Sequence, residues 1–239
     1  MSEYPKGATI NQWSARFAEI GQQKLADLFY DDKLVGIDAL DKLGLPSPHG
    51  VMVPAVEYLA NPGPYFESLD SDKVYLNIIP KSGGLKKFSV FDITKAEGID
   101  YIERNLPIES AEEYFVGVYE YHQNLYGGSI IVNSNGHVLM EFGEGSNQEF
   151  TRVSSVPNFA ADRNIFTGVF HYNYDDVELR EMAWRTMQYI PHVGEGMGVE
   201  FTPGYYEIAV YRDRKNTLQP IFLDYKDNPV YQLRDEQTL

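Results

Sequence analysis

Apolar residues return every third or fourth position over Asn11–Phe29, where Trp13, Phe17, Ile20, Leu25 and Leu28 share one side of a helical wheel, and this spacing predicts an amphipathic helix. Lys33 to Leu43 repeats the pattern through Leu34, Ile37, Leu40 and Leu43, and Gly44 is placed to end that second helix in a left-handed cap. Leu45-Pro46-Ser47-Pro48 then forces extended chain, because a residue that precedes proline is pushed out of the helical region.

The period changes at Lys73. Val74, Tyr75, Leu76, Ile78 and Ile79 predict a strand over Lys73–Pro80, Lys81-Ser82-Gly83-Gly84 a turn, and Phe88–Ile93 a returning strand, giving a hairpin with a glycine-rich tip. Thr94 followed by Glu97 is a capping box, so a short helix is expected to run from there towards Leu106. Tyr114–Tyr121 reads as a strand, Gly127-Gly128 as a break, and Ser129–Asn133 with His137–Phe142 as a hairpin about Asn135-Gly136, the three strands being expected to run antiparallel in sequence. Asp175 and Glu178 open a helix whose Leu179, Met182, Ala183, Thr186, Met187 and Ile190 form a face that must cover a sheet. After the glycines at 194, 196 and 198, Tyr205–Arg212 and Pro220–Tyr225 are expected to pair antiparallel through a turn near Arg214–Thr217. This order predicts an α+β protein of two subdomains, residues 1–110 and 111–239, each with an antiparallel sheet covered by helices.

Composition narrows the chemistry. The 239 residues are 43% hydrophobic and 14% aromatic, enough for a substantial core, and contain no cysteine, which excludes disulfides, thiolate metal sites and thiol nucleophiles. A formal charge of −15 argues against a broad nucleic-acid surface, which needs clustered Lys and Arg, so any anionic ligand must be held by local positive groups. No run approaches the roughly 18 apolar residues of a membrane span, and the first residues carry no apolar leader, so the expectation is a cytoplasmic protein without a membrane partner. The five histidines, His49, His122, His137, His171 and His192, lack metal-ligand spacing and read as structural or surface groups. Eighteen tyrosines leave open a carbohydrate-binding or interaction module using exposed aromatics, although aromatics also fill the cores of such sheets.

The order of elements, together with Leu43-Gly44-Leu45-Pro46-Ser47-Pro48-His49-Gly50, resembles the ATP-grasp superfamily, and the N-terminal part looks most like the nucleotide-binding domain of phosphoenolpyruvate synthase and pyruvate phosphate dikinase. The resemblance implies ATP and Mg²⁺ as cofactors, clasped by two α+β subdomains. Lys81-Ser82-Gly83-Gly84 is similar to the loop that folds over nucleotide phosphates: glycines allow close backbone approach, exposed amides can form an anion nest, and Lys81, Lys86 or Lys87 supply charge. Val118-Tyr119-Glu120-Tyr121 resembles the hinge strand whose backbone pairs with adenine, which makes Glu120 a candidate nucleotide neighbour. Glu207 and Asp224 fall on the two closing strands. If those strands pair, their carboxylates lie side by side, an unfavourable arrangement unless a cation joins them, and Mg²⁺ commonly uses one or two carboxylates with substrate phosphates. Glu141 is a further candidate metal ligand, as a second-rank acid beside them.

The sequence also departs from the family pattern. Asn77-Ile78-Ile79-Pro80 stands where relatives usually carry Lys or Arg before the loop; Val35-Gly36-Ile37-Asp38 lacks the lysine of the synthase group; and Asp224-Tyr225-Lys226-Asp227-Asn228 replaces a Glu-x-Asn ending. The resemblance therefore implies an ATP-dependent ligase that activates a small-molecule carboxylate as an acyl phosphate. It leaves open a non-catalytic scaffold, or a phosphotransferase subunit working with a separate phosphohistidine domain, and either a homo-oligomer or a partner subunit.

Overall fold

The computed structural model describes residues 33–81, 85–133, 136–145, 159–163, 168–173, 175–193 and 201–227. The helix expected over Asn11–Phe29, the turn residues Ser82, Gly83 and Gly84, and the glycines at 194, 196 and 198 lie outside them. The chain is α+β and divides into two compact units, Pro48–Gln123 and a second formed by residues 1–47 with 124–239.

In the Pro48–Gln123 unit, β1 (Gly50–Pro54), β2 (Lys73–Pro80), β3 (Phe88–Thr94) and β4 (Tyr114–Glu120) make a sheet in the order β1-β4-β2-β3, antiparallel throughout. Strand alternation puts Val74, Leu76 and Ile78 of β2 and Val116 and Val118 of β4 on one face. There they share a core with Tyr58, Phe66 and Ile102 from the helices of the unit. Those helices are α2 (Ala55–Ala60), α3 (Gly63–Glu67) and α4 (Lys95–Asn105), followed by a 3₁₀ segment over Ile108–Glu113. The expected capping box is present: Thr94 accepts from the Glu97 N–H and the Glu97 carboxylate accepts from the Thr94 N–H, so one residue ends β3 and starts α4.

In the other unit, α1 (Lys33–Leu43) precedes a six-stranded antiparallel sheet of β5 (Asn124–Val132), β6 (Val138–Glu144), β7 (Phe159–Arg163), β8 (Phe170–Tyr172), β9 (Gly204–Arg212) and β10 (Leu218–Lys226), ordered β10-β9-β5-β6-β7-β8. Helix α5 (Val177–Tyr189) starts at Asp176, whose carboxylate accepts from the Leu179 N–H, and its apolar face of Leu179, Met182, Ala183 and Met187 meets Ile130, Met140, Phe142, Tyr206, Ile208 and Phe222. The sheet face that α5 covers is therefore the one the helix periodicity required. The other face carries the alternate positions, Ser129, Glu141 and Glu207 among them.

Several sequence expectations are corrected. Tyr114–Glu120 does not run on into the following hairpin as a third antiparallel neighbour; it pairs with β1 and β2, and the next strand, β5, pairs with β6 and β9. The residue-110 division consequently falls inside the first unit. Gly127-Gly128 does not break the chain either: both lie within β5, and a Cβ on Gly128 would stand 2.4 Å from the Glu141 carbonyl, so glycine serves the close approach of β5 to β6. Strand β1 was hidden because Val51-Met52-Val53 is too short to alternate visibly before Pro54, and β7 because Phe159-Ala160-Ala161 has small residues where a strand signal needs bulk.

Thr94→Ala removes one half of the capping box. It is expected to lower unfolding stability by about 1 kcal/mol, read by urea denaturation, with the helix signal of α4 weakened first.

Candidate functional site

The acidic candidates are brought together by strand register. Across β10 and β9 Asp224 stands opposite Glu207; across β9 and β5 Glu207 stands opposite Ser129; and across β5 and β6 Ser129 stands opposite Glu141. Opposed residues of an antiparallel ladder project from the same face, and neighbouring strands are about 4.8 Å apart, so Asp224, Glu207, Ser129 and Glu141 form one row. A bulge between Phe222 and Asp224 sets this register: without the extra residue, Leu223 rather than Asp224 would meet Glu207.

The members of the row differ in environment. Asp224 is 2% exposed, whereas Glu207 and Glu141 are half-buried. The Asp224 carboxylate accepts from the Tyr225 N–H at 2.9 Å and lies 3.7 Å from the Lys226 ammonium. Helix α1 closes over it at Gly36, where a Cβ would fall 1.7 Å from Oδ1. Two carboxylates on adjacent strands repel, and burial raises the cost of charge, so a cation beside the pair is favourable. Hard carboxylate oxygens on neighbouring strands suit a divalent cation such as Mg²⁺, which takes one or two carboxylates and completes its shell with water or phosphate. Among the described residues no three acidic or histidine side chains cluster tightly enough to hold a metal unaided. Ser129 was not anticipated from sequence; its place in the row follows from the β5 register, which the supposed break at Gly127-Gly128 concealed.

The remaining candidates belong to the Pro48–Gln123 unit. Lys81 follows β2, is exposed, and holds its ammonium 5.2 Å from the centre of the Phe115 ring; its N–H donates to the Glu113 carbonyl. Lys86, on the other side of the turn, lies 4.7 Å from the centre of the Phe88 ring. Both cations therefore stand at the ends of the turn whose glycines, Gly83 and Gly84, lie outside the described residues. On the sheet face opposite the helices, Asn77 is 2% exposed and its Oδ1 accepts from the hydroxyls of Tyr75 and Ser89, each at 2.7 Å. A neutral amide, held by two neutral donors, thus occupies the strand before the turn.

Glu120 has internal partners. Its Oε1 accepts from the N–H groups of Asp70 (2.6 Å) and Ser71 (3.2 Å) and lies 3.4 Å from His49 Nδ1, while Oε2 is 3.8 Å from His122 Nε2. The Glu120 N–H donates to the His49 carbonyl. Burial pushes this carboxyl up, but the N–H bond from Asp70, the contact with His49 and the N–H bond from Ser71 together hold it below the usual carboxylate range. Side chain and amide are both committed to the fold, which leaves little of Glu120 to offer a nucleotide. His49 and His122, which read from sequence as structural or surface groups, both stand beside this carboxylate, and the spacing Glu120-x-His122, on one side of an extended chain, is the signal that links one of them to it.

No family model matches the chain, and no curated protein matches it. Among solved structures it is similar to the ADP complex of N5-carboxyaminoimidazole ribonucleotide synthetase, with TM-score 0.44 and 12% identity over 93% of this chain and 52% of that one. It is also similar to D-alanine–D-alanine ligase from Coxiella burnetii, with TM-score 0.43 and 7% identity over 90% of this chain and 54% of that one. The ligase of the same name from Bacillus anthracis, complexed with ATP, gives TM-score 0.40 and 13% identity over 95% of this chain and 65% of that one. The chain spans about half the length of the first two. At this level of similarity the site stands on the chain's own geometry. Among the described residues, no helix is long and apolar enough to cross a membrane.

Gly36→Ala provides a sharp check on that geometry. Alanine is the better helix former by about 1 kcal/mol, yet its Cβ would strike the Asp224 carboxylate. The substitution is expected to destabilise the protein by about 1–3 kcal/mol in urea denaturation, with Asp224→Gly relieving part of the loss.

Proposed function

We propose that the chain binds ATP with Mg²⁺ and uses it as an ATP-dependent ligase, activating the carboxylate of a small molecule as an acyl phosphate. The observation that carries this reading is the cross-strand pair Asp224–Glu207, two carboxylates opposed on adjacent strands with a third acid, Glu141, farther along the same row. Asp224 and Glu207 would hold the metal, with Glu141 and the Ser129 hydroxyl available to bind its water. Bound there, Mg²⁺ would neutralise phosphate charge, which is the main electrostatic requirement of phosphoryl transfer. Lys81 and Lys86 are the cations assigned to the nucleotide phosphates, together with Gly83 and Gly84, which lie outside the described residues, an assignment resting on the sequence resemblance and on the exposure of both lysines. On a chain of charge −15 they are a local exception.

A second reading, a scaffold that retained the architecture without turnover, draws on two particular observations. Asn77 places a neutral amide, already engaged by Tyr75 and Ser89, on the strand where a cation would be wanted. Asp224 is buried against α1 and partly satisfied by Lys226 and the Tyr225 amide. In this reading the carboxylate anchors a helix, and the acidic row has no ligand.

Thermal unfolding separates the two. A ligand that binds the native state alone raises its stability by an amount set by concentration over Kd, about 2.7 kcal/mol at a hundredfold excess. For a chain of this size each kcal/mol is worth roughly 2–4 °C. Millimolar Mg-ATP is expected to raise the midpoint of the wild type, Mg²⁺ or ATP alone to do so less, and Glu207→Ala to abolish the magnesium-dependent part. No shift in the wild type would favour the scaffold.

A further inference from the structure

The acid row has two unlike flanks, both set by the same strand registers. Two residues along the strands in one direction stand Ala209, Gly127 and Gly143, opposed across β9, β5 and β6, all buried and with little or no side chain to offer a ligand. Two residues in the other direction, Tyr205 stands opposite Ile131, and Ile131 opposite Leu139. Neither ladder is interrupted between Gly127 and Val132, so Tyr205, Ile131 and Leu139 project from the same face as Glu207, Ser129 and Glu141. They alternate with Tyr206, Ile130, Val132, Val138 and Met140, which are buried in the core that α5 covers, and are themselves half-buried. An apolar strip two strand spacings long, about 10 Å, thus runs directly beside the acids.

The two ends of the strip carry opposite charges. Lys226 stands opposite Tyr205 across β10 and β9, half-buried, with its ammonium 3.7 Å from the Asp224 carboxylate. Asp162 stands opposite Leu139 across β7 and β6 and is exposed. We propose that the acid acted on is an apolar monocarboxylic acid, its carboxylate held at the Lys226 end beside the metal and its hydrocarbon body laid along Tyr205, Ile131 and Leu139 towards Asp162. This deepens the Mg-ATP reading of the acid row and depends on it.

Each part of that ligand answers to a feature of the face. The carboxylates of the row repel an anion, so the acid binds after Mg²⁺ has neutralised Asp224 and Glu207 and drawn Asp224 away from the Lys226 ammonium, which is then available to the incoming carboxylate. A hydrocarbon body on the strip releases water from half-exposed apolar surface. A polar body there would give up its hydrogen bonds to water, and neither Ile131 nor Leu139 has a side-chain donor or acceptor to replace them. A second carboxylate at the far end would also meet Asp162, whose like charge disfavours it. One acid group and an apolar remainder is the combination that the strip and its two ends accept together.

Thermal unfolding of the full chain, titrated with acetate, hexanoate or adipate, tests this with and without Mg²⁺ and a non-hydrolysable ATP analogue, which keeps the acid from being consumed. Binding is expected to tighten about two- to fourfold for each methylene laid on the strip, so hexanoate should bind at least about tenfold more tightly than acetate when the Mg-analogue is present. It should also bind more tightly than adipate, which has the same length and an acid at each end. Ile131→Ser and Leu139→Ser should bring hexanoate towards acetate without changing the shift given by the Mg-analogue alone, and if one of them does not fold, the other decides. Lys226→Gln should weaken hexanoate and acetate by the same factor. If the Mg-analogue alone gives no shift, the nucleotide reading falls and the apolar acid with it. A Mg-analogue shift with hexanoate no tighter than acetate or adipate, a hexanoate effect of equal size without the Mg-analogue, or a preference that persists in both serine variants would each overturn the apolar acid and leave the nucleotide reading in place.

Discussion

The ladder joining β10 to β9, β9 to β5 and β5 to β6 is the constraint on which the rest of the account depends. Strand pairing has a side-chain period of two, so a one-residue slip anywhere in it would send a carboxylate to the opposite face. The bulge beside Phe222 makes that slip once, and in the useful direction: Phe222 stays in the core beneath α5, and Asp224 arrives opposite Glu207. Packing and chemistry are thus fixed by one irregularity. The core holds the register because Ile208, Val210 and Phe222 must remain buried, and the register in turn holds two acids together at an electrostatic cost that the apolar core supports.

Helix α1 belongs to the same compromise. Gly36 lets the helix lie against β10 with the Asp224 carboxylate in the space that any other side chain would fill, so the acid is both sheltered and positioned. A sheltered carboxylate is a strong partner for a cation and a poor one for water. That dual character suits Asp224 to anchoring a helix and, in the proposed reading alone, to holding a metal, and it is why Glu207, the more accessible member, carries the weight of the proposal. In the Pro48–Gln123 unit Glu120 is held by the Asp70 and Ser71 amides beside His49, and Asn77 sits in a neutral hydrogen-bond cluster with Tyr75 and Ser89.

Much of this was legible in the chain. The capping box at Thr94, the apolar stripe of α5, the hairpin of β2 and β3 and the closing pair β9–β10 each follow from local spacing, and the local signals agree with the tertiary result. The pairing of Asp224 with Glu207 was also legible in outline, since two acids on consecutive strands joined by a short turn have few registers open to them. What could not be read was non-local. Sheet membership of Tyr114–Glu120 depends on pairing with the sequence-distant β2 and with β1, a five-residue strand with no helical or alternating signature; the place of Ser129 depends on β5 continuing through two glycines; and the meeting of His49, Asp70, Ser71 and Glu120 depends on contacts some fifty to seventy residues apart, which no periodicity encodes.

The measurement that bears most directly on the acidic row is crystallographic. Crystals grown with Mn²⁺, in which the metal's anomalous signal marks its position, should show it coordinated by both Asp224 and Glu207 at about 2.0–2.4 Å, the oxygen distance of a hard divalent ion. The Lys226 ammonium should then be displaced from the Asp224 carboxylate. Manganese absent from the pair, with Lys226 still beside Asp224, would contradict the account and leave the buried acid as a support for α1.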